Sequence, residues 1–174
     1  GYVGLTKTYR IIIVIESGNV TVSDTYTRKA LQSSITFDYE TREVTVPSVY
    51  NSYLVQFCTT CIPTLIIEGL LLLLFGFKFK DNYKVFFGVN IFTQLFLTAT
   101  LGTILIKSGT ISAYLAQFPI EIIILIAETV IYIKYLKGHT AKHRGAYGIT
   151  ANLASWVAGF FLLSHQYKLL AALL

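Results

Sequence analysis

Four long apolar stretches follow Val49, and they constrain the fold more than any other feature of the chain. They cover about residues 52–77, 85–106, 114–136 and 146–164. Each is close to the ~20 residues that an α-helix needs to cross the hydrocarbon core of a bilayer. Charged residues make up 13% of the chain, about half of the roughly 25% that is usual in soluble domains. The sequence therefore predicts an α-helical integral membrane protein with four transmembrane helices.

Residues 1–49 have a different pattern, which predicts a small β-rich region in front of a transmembrane domain over residues 50–174. A β-branched run, Thr8–Glu16, is followed by turn residues and by a second run, Val20–Ser23, as in a hairpin. A second hairpin is predicted between Ser34–Tyr39 and Glu43–Val46, with Pro47 ending the last strand.

Fewer than 50 residues rarely hold an independent core, so this region is expected to depend on upstream sequence, the membrane domain or a partner. The chain opens at Gly1 and contains no methionine. We therefore expect a processed or truncated chain whose β-rich region is incomplete.

One polar motif occurs twice within the apolar stretches: a glutamate, a basic loop, and then Asn-x-x-Thr/Ser. The two copies are Glu68 with Asn90-Ile-Phe-Thr93, and Glu128 with Asn152-Leu-Ala-Ser155. At 1.5 Å per residue, the glutamates lie about 13–15 Å, and the asparagines about 9–12 Å, from the helix ends at the basic loops. Since each copy has two spans, the sequence predicts a parallel repeat, residues 52–106 and 114–174, about a pseudo-two-fold axis along the membrane normal.

Polar residues also recur at helical spacing, so that each predicted span has one polar face. These faces comprise Gln56, Thr60, Thr64 and Glu68; Asn90, Gln94 and Thr98; Gln117, Glu121 and Glu128; and Asn152, Ser155 and Gly159. Small residues such as the last two permit close approach of helices. The pattern predicts a bundle with its polar faces inward and its aliphatic faces toward lipid.

Ionisable groups at membrane depth are costly and usually face a bundle interior or a wet cavity, which makes them candidates for a binding site. The candidate ion- or substrate-binding residues are Glu68, Glu128, Asn90, Asn152, Glu121, Thr93, Ser155 and Gln94. The alternative is structural. Such side chains can serve as interhelical hydrogen bonds worth about 0.6–2 kcal/mol each, and a protonated glutamic acid can pair with an asparagine.

Basic residues are concentrated in the first and third predicted loops, whereas the middle turn holds only Lys107. The positive-inside rule places both basic loops in the cytoplasm, and the β-rich region, the Lys107 turn and the C-terminus outside the cell membrane. Residues 1–49 carry balanced charge, and the net charge of +5 therefore belongs to the membrane half. This distribution indicates the lipid bilayer, not nucleic acid, as the partner of the basic residues.

The remaining chemistry-bearing residues give weaker signals. Cys58 and Cys61 are two thiols in an apolar helix, too few for a zinc site. We expect them to pack, although a redox pair is an alternative. His139 and His143 are expected to be solvated loop residues, and Trp156 to pack within its helix. The sequence contains no phosphate loop, His-Glu-x-x-His helix or Gly-x-Ser-x-Gly turn. No cofactor is expected, any metal is unknown, and a non-enzymatic function is favoured.

Two segments resemble a group of uncharacterised Gram-positive bacterial membrane proteins. They are Pro63-Thr-Leu-Ile-Ile-Glu-Gly69 with Val89-Asn-Ile-Phe-Thr-Gln94, and Ala127-Glu128 through Ala151-Asn-Leu-Ala-Ser155. The resemblance implies a signal sequence, an extracytoplasmic β-rich region and a C-terminal multispan domain. It implies no particular activity.

Three functions are compatible with these patterns. The first is a small transport or conducting protein, in which Glu68 and Glu128, assisted by the two asparagines, bind or relay a proton or cation. With 174 residues, it would require a homo-oligomer to surround a pathway. The second is a non-catalytic accessory or assembly subunit of a larger membrane complex, whose β-rich region docks a partner. The third is an intramembrane metal-dependent hydrolase that uses the glutamates as ligands or bases.

Overall fold

The computed structural model describes residues 6–31, 35–46 and 48–172, with side chains as far as residue 161. Within this part of the chain the protein is mostly helical, with small β hairpins at the N-terminal end. The strands are β1 (Thr8–Tyr9), β2 (Ile12–Val14), β3 (Val20–Val22), β4 (Tyr26–Thr27), β5 (Thr36–Phe37) and β6 (Val44–Thr45). The helices are α1 (Val49–Leu74), α2 (Phe79–Tyr135) and α3 (Ala141–Ala172).

Both predicted hairpins are confirmed. β1 pairs with β4, and β2 with β3, so that one long hairpin turns near Gly18, which has a φ of 83°. The two ladders differ by one residue in register, because residues 10–11 on one arm face residues 23–25 on the other. β5 pairs with β6 across a turn in which the Asp38 carboxylate accepts from the backbone N–H groups of Glu40 and Thr41. Ser34 and Pro47 of this prediction lie outside the described residues.

Helix α1 corresponds to the first predicted span. It ends at a Schellman motif, in which Gly76 takes a φ of 78°. The N–H of Phe77 donates to Leu72 O at 3.1 Å and that of Gly76 to Leu73 O at 2.9 Å. These bonds satisfy the last carbonyls of α1 and turn the chain sharply into α2.

Helix α2 contains the predicted second and third spans, so the described chain has three helices instead of the four expected. Gly109, with φ 81° and ψ 179°, interrupts the helical geometry within the predicted Lys107–Thr110 turn. A straight helix of 57 residues would be about 85 Å long. Nevertheless, Asn82 Nδ2 donates to Lys137 O at 3.2 Å. Two helical segments, 79–108 and 110–135, therefore lie side by side and reverse direction at Gly109.

The bundle is polar inside and apolar outside. Glu68 and Asn90 are 1% and 0% exposed, whereas Leu74 and Leu115 are 79% and 74% exposed. In the described chain, α1 and α2 are long and apolar enough to cross a membrane by length and composition, with mean hydropathies of 2.0 and 1.8. A soluble domain normally shows the opposite distribution of buried and exposed side chains.

The segment between the two hairpins contacts the end of the bundle at which α2 reverses. The backbone N–H of Leu31 donates to Ile106 O at 2.8 Å, and Ala30 is buried with Leu105 and Ala113. The basic loops lie at the other end, where Lys137 meets the first turn of α2. The hairpin region and the basic loops are therefore at opposite ends of the bundle.

Candidate functional site

The two glutamates of the repeated motif are buried in the bundle and bonded crosswise. Glu68 on α1 is 1% exposed, and its Oε1 accepts from the Ser155 hydroxyl of α3 at 2.9 Å. Glu128 on α2 is 2% exposed, and its Oε1 accepts from the Thr93 hydroxyl. Each glutamate is thus bonded to the last residue of the other copy's Asn-x-x-Thr/Ser segment. One crosswise bond joins α1 to α3, and the other joins two parts of α2.

The hydroxyl groups of Thr93 and Ser155 also bond backbone carbonyls of their own helices. Thr93 Oγ1 also lies 3.1 Å from Asn90 O, and Ser155 Oγ lies 3.1 Å from Asn152 O, as expected three residues apart on one helix face. The spacing Asn-x-x-Thr/Ser therefore places an amide and a hydroxyl side by side. This local geometry explains why both residue types recur at the same spacing.

The two asparagines differ in what they bind. Asn152 Nδ2 donates to Glu128 Oε2 at 3.0 Å and to Gly148 O at 3.0 Å. Asn90 Nδ2 donates instead to the Tyr132 hydroxyl at 2.8 Å and to Phe86 O at 3.0 Å. Both amides bond the carbonyl one turn back, but only that of Asn152 donates to a glutamate. The two copies are therefore alike in their crosswise hydroxyl bonds and unlike in their amide bonds.

Several buried polar atoms have no hydrogen-bond partner among the described residues. They are Glu68 Oε2, Asn90 Oδ1, Gln94 Oε1, Thr98 Oγ1, Thr129 Oγ1 and Arg144 Nε. Native structures contain few such atoms, since each costs about 1–3 kcal/mol when it is not compensated. The first three are acceptor oxygens that belong to predicted site residues. Glu128 differs from Glu68, because both of its oxygens receive a donor.

A cavity of about 50 Å³ extends from the glutamates along the predicted polar faces. A single water needs roughly 10–15 Å³ measured in this way, so the cavity has room for a few small ligands or waters. Its polar lining is Gln56, Thr59, Thr60, Thr64, Glu68, Gln94, Gln117, Glu121, Glu128, Asn152 and Ser155. Among the described residues, the lining holds three carboxyl groups and no Lys, Arg or His. Six of the eight predicted site residues line it; Asn90 and Thr93 lie behind it.

Burial varies along the cavity. Thr60, Gln117 and Glu121 are half-buried, whereas Gln56 at one end and Glu68 and Glu128 at the other are buried. Between Gln56 and Glu68 the cavity follows α1 for about 18 Å. Its less buried part lies between these two ends, on the side of the glutamates that faces away from the basic loops. The two glutamates are at its deeper end.

A hydrophobic cluster lies between the glutamates and the basic loops. It consists of Leu72, Phe77, Phe86, Tyr132, Leu136, Tyr147 and Ala151, each at most 3% exposed. The Tyr147 hydroxyl donates to the backbone oxygen of Glu68 at 3.3 Å, and the rings of Tyr132 and Tyr147 pack 5.2 Å apart. This cluster closes the cavity on the basic-loop side.

Sequence reasoning missed Tyr132 and Asn82. Tyr132 is one turn after Glu128, and the only signal for it was that spacing. Asn82 lies eight residues before Asn90, as Arg144 lies eight before Asn152. Asn82 Oδ1 accepts from the N–H of Lys137 at 2.7 Å, and Arg144 Nη1 donates to Leu136 O at 2.6 Å. Both residues fasten the loop at residues 136–137.

The two histidines, expected to be solvated, stack on each other with ring centroids 4.4 Å apart. A ring nitrogen of His139 hydrogen-bonds Gly76 O at 3.2 Å, and one of His143 hydrogen-bonds Phe75 O at 2.9 Å. They therefore bind the carbonyls at the end of α1 and join that end to α3. His139 is exposed and His143 is half-buried.

The remaining weak candidates differ in their surroundings. Cys58 and Cys61 are free thiols; Cys61 is buried, as expected of a packing residue, whereas Cys58 is exposed. Trp156 lines the cavity and packs against Phe118 with ring centroids 5.6 Å apart. Across the described ranges, no three His, Cys, Asp or Glu side chains converge as a metal site.

Comparison with protein-family models, curated proteins and solved structures finds no match to this chain. Its function therefore has to be inferred from its own geometry.

Proposed function

We propose that this chain is an integral membrane protein that binds and passes a proton or small cation through its polar cavity. One observation carries the proposal: Glu68 and Glu128 lie buried at the closed end of a cavity that, in the described part of the chain, is lined by carboxyl and amide groups and by no Lys, Arg or His. Such a lining attracts positive charge, and its low-dielectric surroundings strengthen that attraction. The half-buried Glu121 is the first carboxyl on the path from the hairpin end.

The exposed apolar surface supports placement in a membrane. Large side chains such as Leu74, Phe92 and Leu115 are 79%, 71% and 74% exposed, whereas glutamate and asparagine are buried. Exposing apolar area to water costs about 25 cal/mol per Å², and a bilayer removes this cost. The reversal at Gly109 allows α2 to contribute two spans, so that the chain would cross the bilayer four times.

The arrangement of the two ends supports the proposed orientation. Both basic loops meet at one end, through the contact of Asn82 with Lys137, and the segment between the hairpins contacts the other end at Ile106 through Leu31. With the basic loops in the cytoplasm, the hairpins would be extracytoplasmic and the cavity would be approached from outside. The crosswise hydroxyl bonds to Glu68 and Glu128 support a parallel internal repeat.

Passage across the membrane would require the hydrophobic cluster between the glutamates and the basic loops to separate. Tyr132 and Tyr147 are 0% exposed and pack against each other, so the structure is closed on that side. A cation or proton arriving from outside would be held at the glutamates until this contact opened. Association into a homo-oligomer would help to surround the pathway.

Flux measured in liposomes tests the proposal. Glu68→Gln and Glu128→Gln each preserve side-chain size and remove the negative charge, and we expect each to abolish cation- or proton-dependent flux. Glu43→Gln is the matched control, because Glu43 is exposed in the β5–β6 turn. Wild-type flux in both buried variants would show that the cavity is not the pathway.

One observation favours a second candidate function, that of an accessory subunit. The β2–β3 hairpin exposes four cross-strand aliphatic side chains, Ile12, Val14, Val20 and Val22, at 63%, 65%, 58% and 45%. An exposed apolar patch of this kind is typical of a protein interface. This function predicts stable co-purification of another chain after mild detergent extraction, and its loss in Val14→Lys. A protein that persistently purifies alone would contradict it.

A further inference from the structure

Three acceptor oxygens without a donor belong to side chains that meet where α1 faces the first segment of α2. They are Glu68 Oε2, Asn90 Oδ1 and Gln94 Oε1, and none has a hydrogen-bond partner within the part of the chain described. The three side chains are 1%, 0% and 7% exposed. The site therefore combines a carboxylate with two amide oxygens, all more than nine-tenths buried.

The helices hold these side chains in register. Asn90 and Gln94 are one turn apart on α2, as Thr64 and Glu68 are on α1, so each pair shares a face. Glu68 interacts with Asn90, and Gln94 Nε2 lies 3.5 Å from Thr64 Oγ1. The acceptor oxygens thus come from two adjacent helical turns at the contact between α1 and the first segment of α2.

The amide orientations leave oxygen, not nitrogen, available. Asn90 Nδ2 uses both of its hydrogens, one on Phe86 O at 3.0 Å and one on the Tyr132 hydroxyl at 2.8 Å. Rotating the amide by 180° would lose the bond to Phe86 O, because it would bring two oxygens together. The Gln94 amide nitrogen is directed to Thr64. A ligand of this site therefore meets acceptor oxygens and has to be a hydrogen-bond donor or a cation.

The number of acceptors distinguishes a metal cation from a proton. A proton on Glu68 can satisfy at most one of the other two oxygens. A hard cation can be bound by several carboxylate and amide oxygens at once. Of the two buried glutamates, Glu68 is the one with an oxygen that lacks a donor among the described residues, since both oxygens of Glu128 accept from Thr93 and Asn152. One carboxylate ligand with two neutral amide ligands favours a monovalent cation.

We propose that Glu68 Oε2, Asn90 Oδ1 and Gln94 Oε1 form a binding site for a partly dehydrated alkali cation. Glu68 and Gln94 line the cavity, so the ion reaches the site from the cavity, while Asn90 provides a ligand from behind. This inference rests on the proposed function, because it names the ion that the same glutamate would bind. The cavity has room for water molecules to complete the coordination.

The single tryptophan of the chain provides a probe of this site. Trp156 lines the cavity beside Ser155, whose hydroxyl donates to the other oxygen of Glu68. The full chain in nanodiscs is titrated with NaCl, KCl or LiCl at fixed pH, with choline chloride keeping the ionic strength constant. We expect a saturable change in Trp156 fluorescence with at least one alkali ion and none with choline. Isothermal titration calorimetry with the same salts measures the binding directly.

Substitutions of Gln94 test whether this residue is a ligand of the cation. Gln94→Leu removes one oxygen and should weaken alkali binding at least about tenfold, whereas Gln94→Glu keeps an oxygen and should bind at least as tightly as wild type. Thr60→Val is the matched control in the cavity wall, since the Thr60 hydroxyl bonds backbone carbonyls of its own helix, those of Gln56 and Phe57. Each variant is compared with wild type by thermal unfolding, and the rescue by glutamate separates loss of a ligand from loss of the fold.

Two results would overturn the inference. One is calorimetry that detects no binding of any alkali ion to folded wild-type protein, with fluorescence that responds only to pH; the site would then take a proton, and proton-linked flux would still be allowed. The other is undiminished alkali affinity in Gln94→Leu. Alkali binding that is lost in Gln94→Leu, in a protein without flux in liposomes, would support the site and refute the proposed function.

Discussion

Replacing Thr93 by valine tests whether the crosswise hydroxyl bonds hold the bundle together. Valine has nearly the same shape as threonine, so the substitution removes the donor to Glu128 Oε1 and leaves the packing of α2 unchanged. Thr93 is only 6% exposed and Glu128 only 2%. Water therefore cannot readily replace the lost hydroxyl. Within the described residues, Glu128 would keep one donor, Asn152, on its other oxygen.

The expected loss follows from this burial. A hydrogen bond to a charged group contributes about 1.5–3 kcal/mol in a protein interior, whereas polar contacts between membrane helices average about 0.6 and reach about 1.7 kcal/mol. We therefore expect Thr93→Val to lower the free energy of unfolding by about 1–2 kcal/mol. Ser155→Ala should cost less, because Ser155 is half-buried and lines the cavity, so that water can replace its hydroxyl, whereas Thr93 lies behind the cavity.

The assay is reversible unfolding in mixed detergent micelles, followed by far-ultraviolet circular dichroism. Thr100→Val is the matched control, since the same substitution on the same helix removes a hydroxyl that bonds only its own backbone, Phe96 O, at 2.7 Å. We expect the control to change stability by less than about 0.5 kcal/mol. Equal effects of Thr93→Val and Thr100→Val would refute the reasoning, because the crosswise bond would then contribute nothing.

Three further changes test the contacts that shape the bundle. Gly102→Ala should destabilise the protein by about 1–3 kcal/mol, since a Cβ there would lie 2.8 Å from Cδ1 of Tyr53. Gly88→Ala is the control and should not destabilise the protein, because the space around Gly88 is open. Equal unfolding midpoints of the two variants would contradict the prediction. Gly109→Ala places a Cβ at a φ of 81° and should cost about 1–3 kcal/mol, measured against the same Gly88 control. Asn82→Ala loses both bonds to the Lys137 backbone and should speed limited proteolysis of the loop at residues 136–140; an unchanged cleavage rate would show that these bonds do not hold the loop.

The sequence indicated the polar faces because helical periodicity is a local property. The spacing of Thr60, Thr64 and Glu68 places these side chains on one face of any helix, and the structure finds them lining one cavity. The hairpins were predictable for the same reason, since β-branched runs and turn residues act locally. The break at Gly109 coincides with the predicted turn, although helical geometry extends up to Gly109 and starts again directly after it.

Other features of the site could not be predicted, because they depend on which helix faces which. The sequence treated Asn90 and Asn152 as equivalent, but Asn90 donates to Tyr132 and Asn152 to Glu128. The position of Tyr132, one turn after Glu128, was too weak a signal to distinguish it among the many aromatic residues of the chain. The expectation that His139 and His143 would be solvated missed their bonds to the end of α1, which is more than 60 residues away along the chain.

By itself, the sequence determined which residues could not face an apolar environment and how they are spaced along each helix. That is enough to predict that Glu68 and Glu128 turn toward the interior, because an exposed carboxyl among aliphatic neighbours in lipid is costly. Only the tertiary structure decided the partners: Ser155 for one glutamate, Thr93 and Asn152 for the other. The reason is that a hydrogen bond depends on the distance between atoms of different helices, and helix packing sets that distance after periodicity has fixed the faces.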